Sequence, residues 1–214
     1  RKDIINARKK DLDKLVVFVH WGSEYRDFPN SYQKKYNNFF QGLGVDIVVG
    51  SHPHVIQPIE YSNKSGKEFM TVFSLGNFIS NQREERKDGG VMFRLSFKKN
   101  GNNVVISRKE YIPVWVHKFI DKEKYHYQVL PCARYLYNEK YFSNKSDFDK
   151  MKIFLDNSRK HLNSNNLDVG EGIPYGYTRV RPAAILNSVI QEIRNVDIIP
   201  VKTKKRRKRR GGRN

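Results

Sequence analysis

The sequence predicts an α/β protein in which parallel strands come first and antiparallel strands follow. Three observations predict it. Two short Val-rich runs, "KLVVFVH" and "VDIVVG", are continuously apolar, the pattern of strands buried on both faces in a parallel sheet. Between them, "PNSYQKKYNNFFQGLG" places Tyr32, Tyr36, Phe39, Phe40 and Leu43 at helical spacing. Strand, helix, strand at this length is a crossover, which makes the two strands parallel. Further on, "GVMFRLSFKKNGNNVVISRKEYIPVWV" alternates and turns at "KKNGNN", the mark of an antiparallel hairpin.

The remaining elements follow from local signals. Residues 3–14 read as the end of a helix, with Ile4, Ile5 and Leu12 on one side. Asn30 or Ser31 can cap the crossover helix, and Gly44 suits its end. After the turn-like "SNKSGKE", "FMTVFSLGNF" reads as a third strand, and "KYHYQVLP" adds a short one after the hairpin. From Ser146 the pattern is helical: Ser146 with Asp149 resembles a capping box, and Phe148, Met151, Leu155 and Leu162 share a face. "NSNNLDVGEGIPYGYTRVRP" reads as a loop and "AAILNSVIQEIRNV" as an amphipathic helix. The expected organisation is an α/β domain over residues 1–138, a helical extension over 139–201 and a polybasic tail over 202–214.

Composition narrows the function classes. Hydrophobic residues make up 38% and aromatics 13%, enough to bury a core. The single Cys132 excludes an intrachain disulfide and a cysteine-rich zinc site, and its apolar setting predicts a buried thiol. No run approaches the ~18 apolar residues of a membrane span. The opening "RKDIINARKKDLDKL" is charged and is not a secretory signal. The formal net charge is +19, and nine Lys or Arg fall between Lys202 and Arg213, which leaves +10 for the rest. Like charges at that density repel, so the tail is expected to be disordered until it meets an anion: nucleic acid, an anionic membrane surface or an acidic polymer.

In parallel α/β sheets, ligands bind beyond the carboxyl ends of the strands. His20 ends the first strand, Ser51–His54 follow the second, and Ser74–Phe78 follow the third. Pro53 biases His52 toward extended backbone, where residues two apart project to one side, so His52 and His54 can present two imidazoles to one centre. Imidazole ligates zinc, iron and manganese, and His20 can supply a third nitrogen. Glu24 is read as a ligand, a support for a histidine, a substrate contact or a solvated carboxylate. Gly22 lets the backbone turn or approach a ligand. Asn77 either offers an amide to an anion, braces the histidine loop or closes a turn beside Gly76. His117, His126 and His161 are read as structural or surface residues. No glycine-rich phosphate loop or nucleophile elbow is present.

Taken together, "VVFVHWGSEY", "GLGVDIVVGSHPHVIQPIEY" and "TVFSLGNF" resemble the CapA, or poly-γ-glutamate capsule biosynthesis, family, and "YIPVWV" and "YHYQVLP" are similar to its C-terminal strands. The resemblance covers about residues 1–131 and implies the α/β/β/α sandwich of calcineurin-like metallophosphoesterases. It implies His20, His52 and His54 as metal ligands for divalent Mn, Fe or Zn, two ions in the complete protein. The candidate catalytic groups are His54 and Glu24, and Gly22, Ser51 and Asn77 are the candidate substrate contacts. The resemblance also implies a place in the cell envelope or outside the cell. The family's remaining ligands, a Gly-Asp motif, a further carboxylate and an Asn-His pair, do not occur before His20. The chain is therefore expected to be the C-terminal part of such a domain, inactive as a phosphoesterase without its other half. A non-catalytic module that binds an anionic polymer is the alternative.

Overall fold

The computed structural model describes residues 1–166 and 168–174. In chain order these form α1 (Lys2–Arg8), β1 (Val16–His20), α2 (Ser31–Gly42), β2 (Ile47–Ser51), β3 (Ile59–Lys64), β4 (Lys67–Val72), β5 (Gly89–Asn100), β6 (Asn103–Asp121), β7 (Lys124–Pro131), α3 (Cys132–Tyr135), a 3-10 turn (Glu139–Tyr141), α4 (Lys145–Asn165) and the short β8 (Gly170–Glu171). The predicted helix over "AAILNSVIQEIRNV" and the basic stretch Lys202–Arg213 lie outside the described residues.

The strands make two sheets. The first runs β1-β2-β4-β3, and the second runs β5-β6-β7 with β8 beside β6. β1, β2 and β4 are parallel, as the crossover predicts; β3 returns antiparallel to β4. The second sheet is the expected hairpin plus β7, antiparallel throughout except for β8. Side chains alternate across β4 and sort the layers. Phe69 and Phe73 face one way and pack with Val48, Trp21, Phe40 of α2 and Ile4 of α1. Met70 and Val72 face the other way and join Ile47, Val91, Tyr111, Trp115 and the α4 residues Met151, Phe154 and Leu155 in one core. Helices, sheet, sheet and helix are thus layered as in metallophosphoesterases. α4 shares the core of the sheets.

Several expectations are corrected. β1 is not buried on both faces: it is the edge of its sheet, its burial alternates, and Phe18 is 78% exposed. Val16 and Phe18 stand opposite Ile47 and Val49 in register, on the face that elsewhere packs on the second sheet, yet both are exposed, Phe18 the more so. The crossover helix is present and is capped by Asn30, with Gln33 completing the capping box. Its aromatic stripe, however, is split: Phe40 packs inward on Trp21, and the other three aromatics face outward. Gln33 and Asn37 are the buried residues, and Tyr32, Tyr36 and Phe39 are exposed. The helix docks through amide hydrogen bonds: Gln33 Nε2 donates to Gln57 Oε1 at 2.8 Å, and Thr71 Oγ1 donates to Asn37 Oδ1 at 2.7 Å. Periodicity shows that a stripe exists, not which side meets the sheet.

Three smaller differences have local causes. α1 ends at Arg8, so Leu12 lies beyond it, and both Ile5 and Leu12 are exposed. α4 is capped by Asn144, which accepts from Asp147 N, because Ser146 already lies inside the helix. The pattern does not predict β3, because "IEYSNK" is largely polar, as edge strands often are. The α4 face Phe148, Met151, Leu155 and Leu162 is buried as predicted, and so is Cys132, whose thiol burial pushes far up and leaves it inert.

Candidate metal centre at the strand exits

The parallel register sets His20 directly beside Ser51, so the loops leaving β1 and β2 start side by side. Backbone hydrogen bonds then lace them together. Trp21 N donates to Ser51 O at 3.1 Å, and Tyr25 N donates to Pro53 O at 2.8 Å. Trp21 Nε1 donates to Phe73 O at 2.9 Å and ties in the exit of β4. The close approach at Gly50 requires glycine, since a Cβ would sit 2.2 Å from Phe73 O and 2.3 Å from Trp21 Nε1. Gly22 turns with φ +90° against the side chain of Gln33.

Within this frame, ligand atoms of Glu24, His52 and His54 all lie within 4.8 Å of one another. The extended backbone expected at His52 is not found. His52 has φ 105°, His54 φ 60° and Tyr25 φ 62°. The two imidazoles converge because the loop is wound through left-handed conformations, not by strand alternation. Non-glycine residues in such regions cost roughly 1–3 kcal/mol each and collect at functional sites. His20 lies near but outside that set: its ring packs on His52 at 4.5 Å between centroids, against 6.0 Å for His52 and His54.

Asn77 determines the tautomer of His54. Its Nδ2 donates to Lys87 O at 2.7 Å and to Gln82 Oε1 at 2.9 Å. A backbone carbonyl can only accept, so Oδ1 is the atom that faces His54 Nδ1, at 2.9 Å, and that nitrogen carries the proton. His54 Nε2 then points an unshared pair toward Glu24 Oε1, 3.6 Å away. Two acceptors facing each other at this distance repel unless a cation or a proton stands between them. Carboxylate plus imidazole, with the far imidazole nitrogen bound to an amide oxygen, is the donor set and outer support of a divalent ion. The three residues therefore fit one metal ion.

Both hydrogens of the Asn77 amide are used within the protein, so Asn77 braces His54. Ser51 and His20 are exposed at the rim. The sequence pattern does not mark Gln82 and Lys87: Gln82 Nε2 reaches Tyr25 OH at 3.1 Å, and Lys87 Nζ sits 4.0 Å over the Tyr25 ring. Their segment, "NQREERKDGG", reads as a solvated charged loop, and only its fold onto Asn77 reveals the role. His117 is buried and lined by aromatics, and His126 lies on Phe119.

The layering and the rim of histidines at parallel strand exits define a metallophosphoesterase-like α/β protein. Sequence comparison adds a likeness. Residues 1–82 match the family model of the bacterial capsule synthesis protein PGA_cap. The chain is 36% identical over 115 residues to the PGA biosynthesis protein CapA of Bacillus subtilis (strain 168), a match covering 54% of this chain and 28% of that protein. It is 29% identical over 128 residues to the capsule biosynthesis protein CapA of Bacillus anthracis, covering 58% and 30%. The chain thus spans less than a third of the curated relatives it matches.

Proposed function

We propose that this chain supplies the histidine-bearing part of a divalent-metal centre that acts on a phosphoester or polymer linkage in capsule, or poly-γ-glutamate, biosynthesis. The observation that carries the reading is the Glu24, His52 and His54 set within 4.8 Å, with the His54 tautomer set by Asn77. Such an ion would polarise a substrate oxygen and acidify a water at neutral pH. His52 and His54 would hold it, and Glu24 would balance its charge. His20, outside the ligand set but against His52, is placed to bind an anionic oxygen or carry a proton. Gly22 and Ser51 line the approach.

Three donors suffice for one ion, whereas the family's two-metal chemistry needs more. Among the described residues no strand pairs with the outer edge of β1, where Phe18 is bare beside His20, and a further strand there would add both cover and ligands. The reading makes metal binding the primary measurement. Calorimetric titration with Mn²⁺ and Zn²⁺ should show one site, lost in His52→Ala and His54→Ala. Asn77→Ala should weaken it roughly 10–100-fold through the loosened His54 ring. Variants that bind metal like the parent would refute the centre. Salt-sensitive polyanion binding with no metal uptake would favour a non-catalytic polymer-binding module instead.

A further inference from the structure

The helix-facing side of the first sheet is only partly covered. In the antiparallel register Glu60 lies opposite Thr71 and Ser62 opposite Phe69, and directly opposed side chains share a face. Phe69 packs with Phe40 of α2 and Thr71 bonds to Asn37 of α2, so Glu60 and Ser62 point to that side too. The buried cluster there includes Phe69 but no residue of β3. Between α2 and β3 lies a cavity of about 370 Å³, within the range of small-molecule sites, about 300–1,000 Å³. None of its lining belongs to the candidate metal set.

The lining is rich in carboxamides. Gln41 stands four residues after Asn37 and three after Asn38, so all three share one side of α2, and Asn165 joins them from the end of α4. Asn37 is 6% exposed. Thr71 Oγ1 donates to its Oδ1 at 2.7 Å, while its Nδ2 has no hydrogen-bond partner among the described residues. A buried amide is thus fixed at one end and left with a free donor at the other, on the wall of the cavity. A ligand oxygen would satisfy it.

The donor set defines the ligand class. A carboxamide offers a donor and an acceptor side by side, and a hydroxyl is both, so neighbouring hydroxyls pair with it at two points. Glu60 and Lys64 are the charged residues of the lining, one of each sign, so the cavity favours no ion. A flat base needs an open aromatic face. Phe69 is 8% exposed, and Lys109 Nζ sits 3.7 Å over the Tyr61 ring. A peptide strand would need the edge of β3, where Ile59 N already donates to Asn166 Oδ1 at 2.7 Å.

We propose that this cavity binds a neutral sugar unit, with neighbouring hydroxyls on Asn37 Nδ2 and on the carboxamides of Asn38 and Gln41. The site is separate from the metal centre and does not depend on it.

Ligand-observed NMR and calorimetry of the full chain, in EDTA, test it with glucose, galactose, N-acetylglucosamine and maltose. Each is supplied at about 10 mM, enough to load a site with a Kd of about 1 mM. At least one should bind. Gln41→Ala and Asn38→Ala should each weaken it about threefold to tenfold, the scale of one neutral hydrogen bond, with an unchanged melting temperature because both side chains are exposed. Asn37→Ala should weaken it at least as much, but it also frees Thr71, so the two exposed positions decide. His52→Ala should leave sugar binding unchanged. Four results would each overturn the assignment: no sugar bound, both exposed variants binding like the parent, loss of binding in His52→Ala, or equal affinity for N-acetylglycinamide, which would make the cavity a peptide site.

Discussion

At the exits of β1 and β2, His20, His52 and His54 stand partly in solvent, two of them on left-handed backbone, with His20 packed on the His52 ring and ring nitrogens of His52 and His54 close to the Glu24 carboxylate. In the middle of β6, His117 is 2% exposed, packed against Trp115, Phe119 and Phe142, with neither ring nitrogen hydrogen-bonded. Asp147 lies 3.4 Å from its Nε2 without an aligned hydrogen bond. One residue type thus serves opposite ends. Strand ends accept conformational strain to gather ligands, whereas strand centres accept a stranded polar ring to keep water out of the core.

The sharpest way to separate the two regions is to cut into the second sheet. Trp115 is fully buried, and its Nε1 donates to Asp88 Oδ2 at 2.6 Å. Trp115→Ala should cost about 3–5 kcal/mol in denaturant unfolding, from the cavity and from the carboxylate left without its donor. A loss below about 1 kcal/mol would mean the core does not close around this ring. While folded, that variant should still bind metal at the rim.

The next effect is a pH dependence. Burial lowers the His117 pKa, Asp147 opposes this, and Arg83 adds to the lowering. His161 shifts the same way. A folded pKa below the unfolded value means that the unfolded chain binds more protons between the two, so stability rises with pH across that window. Below about pH 6.5, an ordinary histidine pKa, the protein should therefore lose stability as the pH falls toward the folded values. His117→Leu should flatten part of that slope, read from thermal midpoints between pH 5 and 7. An unchanged slope would put the dependence elsewhere, on His161 first.

The smallest expected effect runs the other way. His52→Gly should remove metal binding yet raise stability by up to about 1 kcal/mol, because glycine accepts φ 105° freely. A lower melting temperature would show that the packing of His52 on His20 outweighs the strain. Strain retained at a site and released by removing its function is the signature of a rim kept for chemistry.

Much was legible before the fold was known. The Val-rich runs and the helix between them determined a parallel crossover, and the turn within "KKNGNN" determined the hairpin, because both are written in local pattern. The histidines at strand ends marked the site, because a parallel sheet gathers those ends. Other features are set by which faces meet across the fold. The outward Tyr32, Tyr36 and Phe39 of α2, the bare face of β1 at Phe18 and the left-handed winding of His52 and His54 depend on packing partners far away in the chain. So does the brace of His54, since Asn77, Gln82 and Lys87 acquire their role only when the 77–87 loop folds back on itself beside the histidines. Sequence periodicity encodes amphipathic elements; tertiary packing chooses their burial, and with it which polar groups are left free to bind.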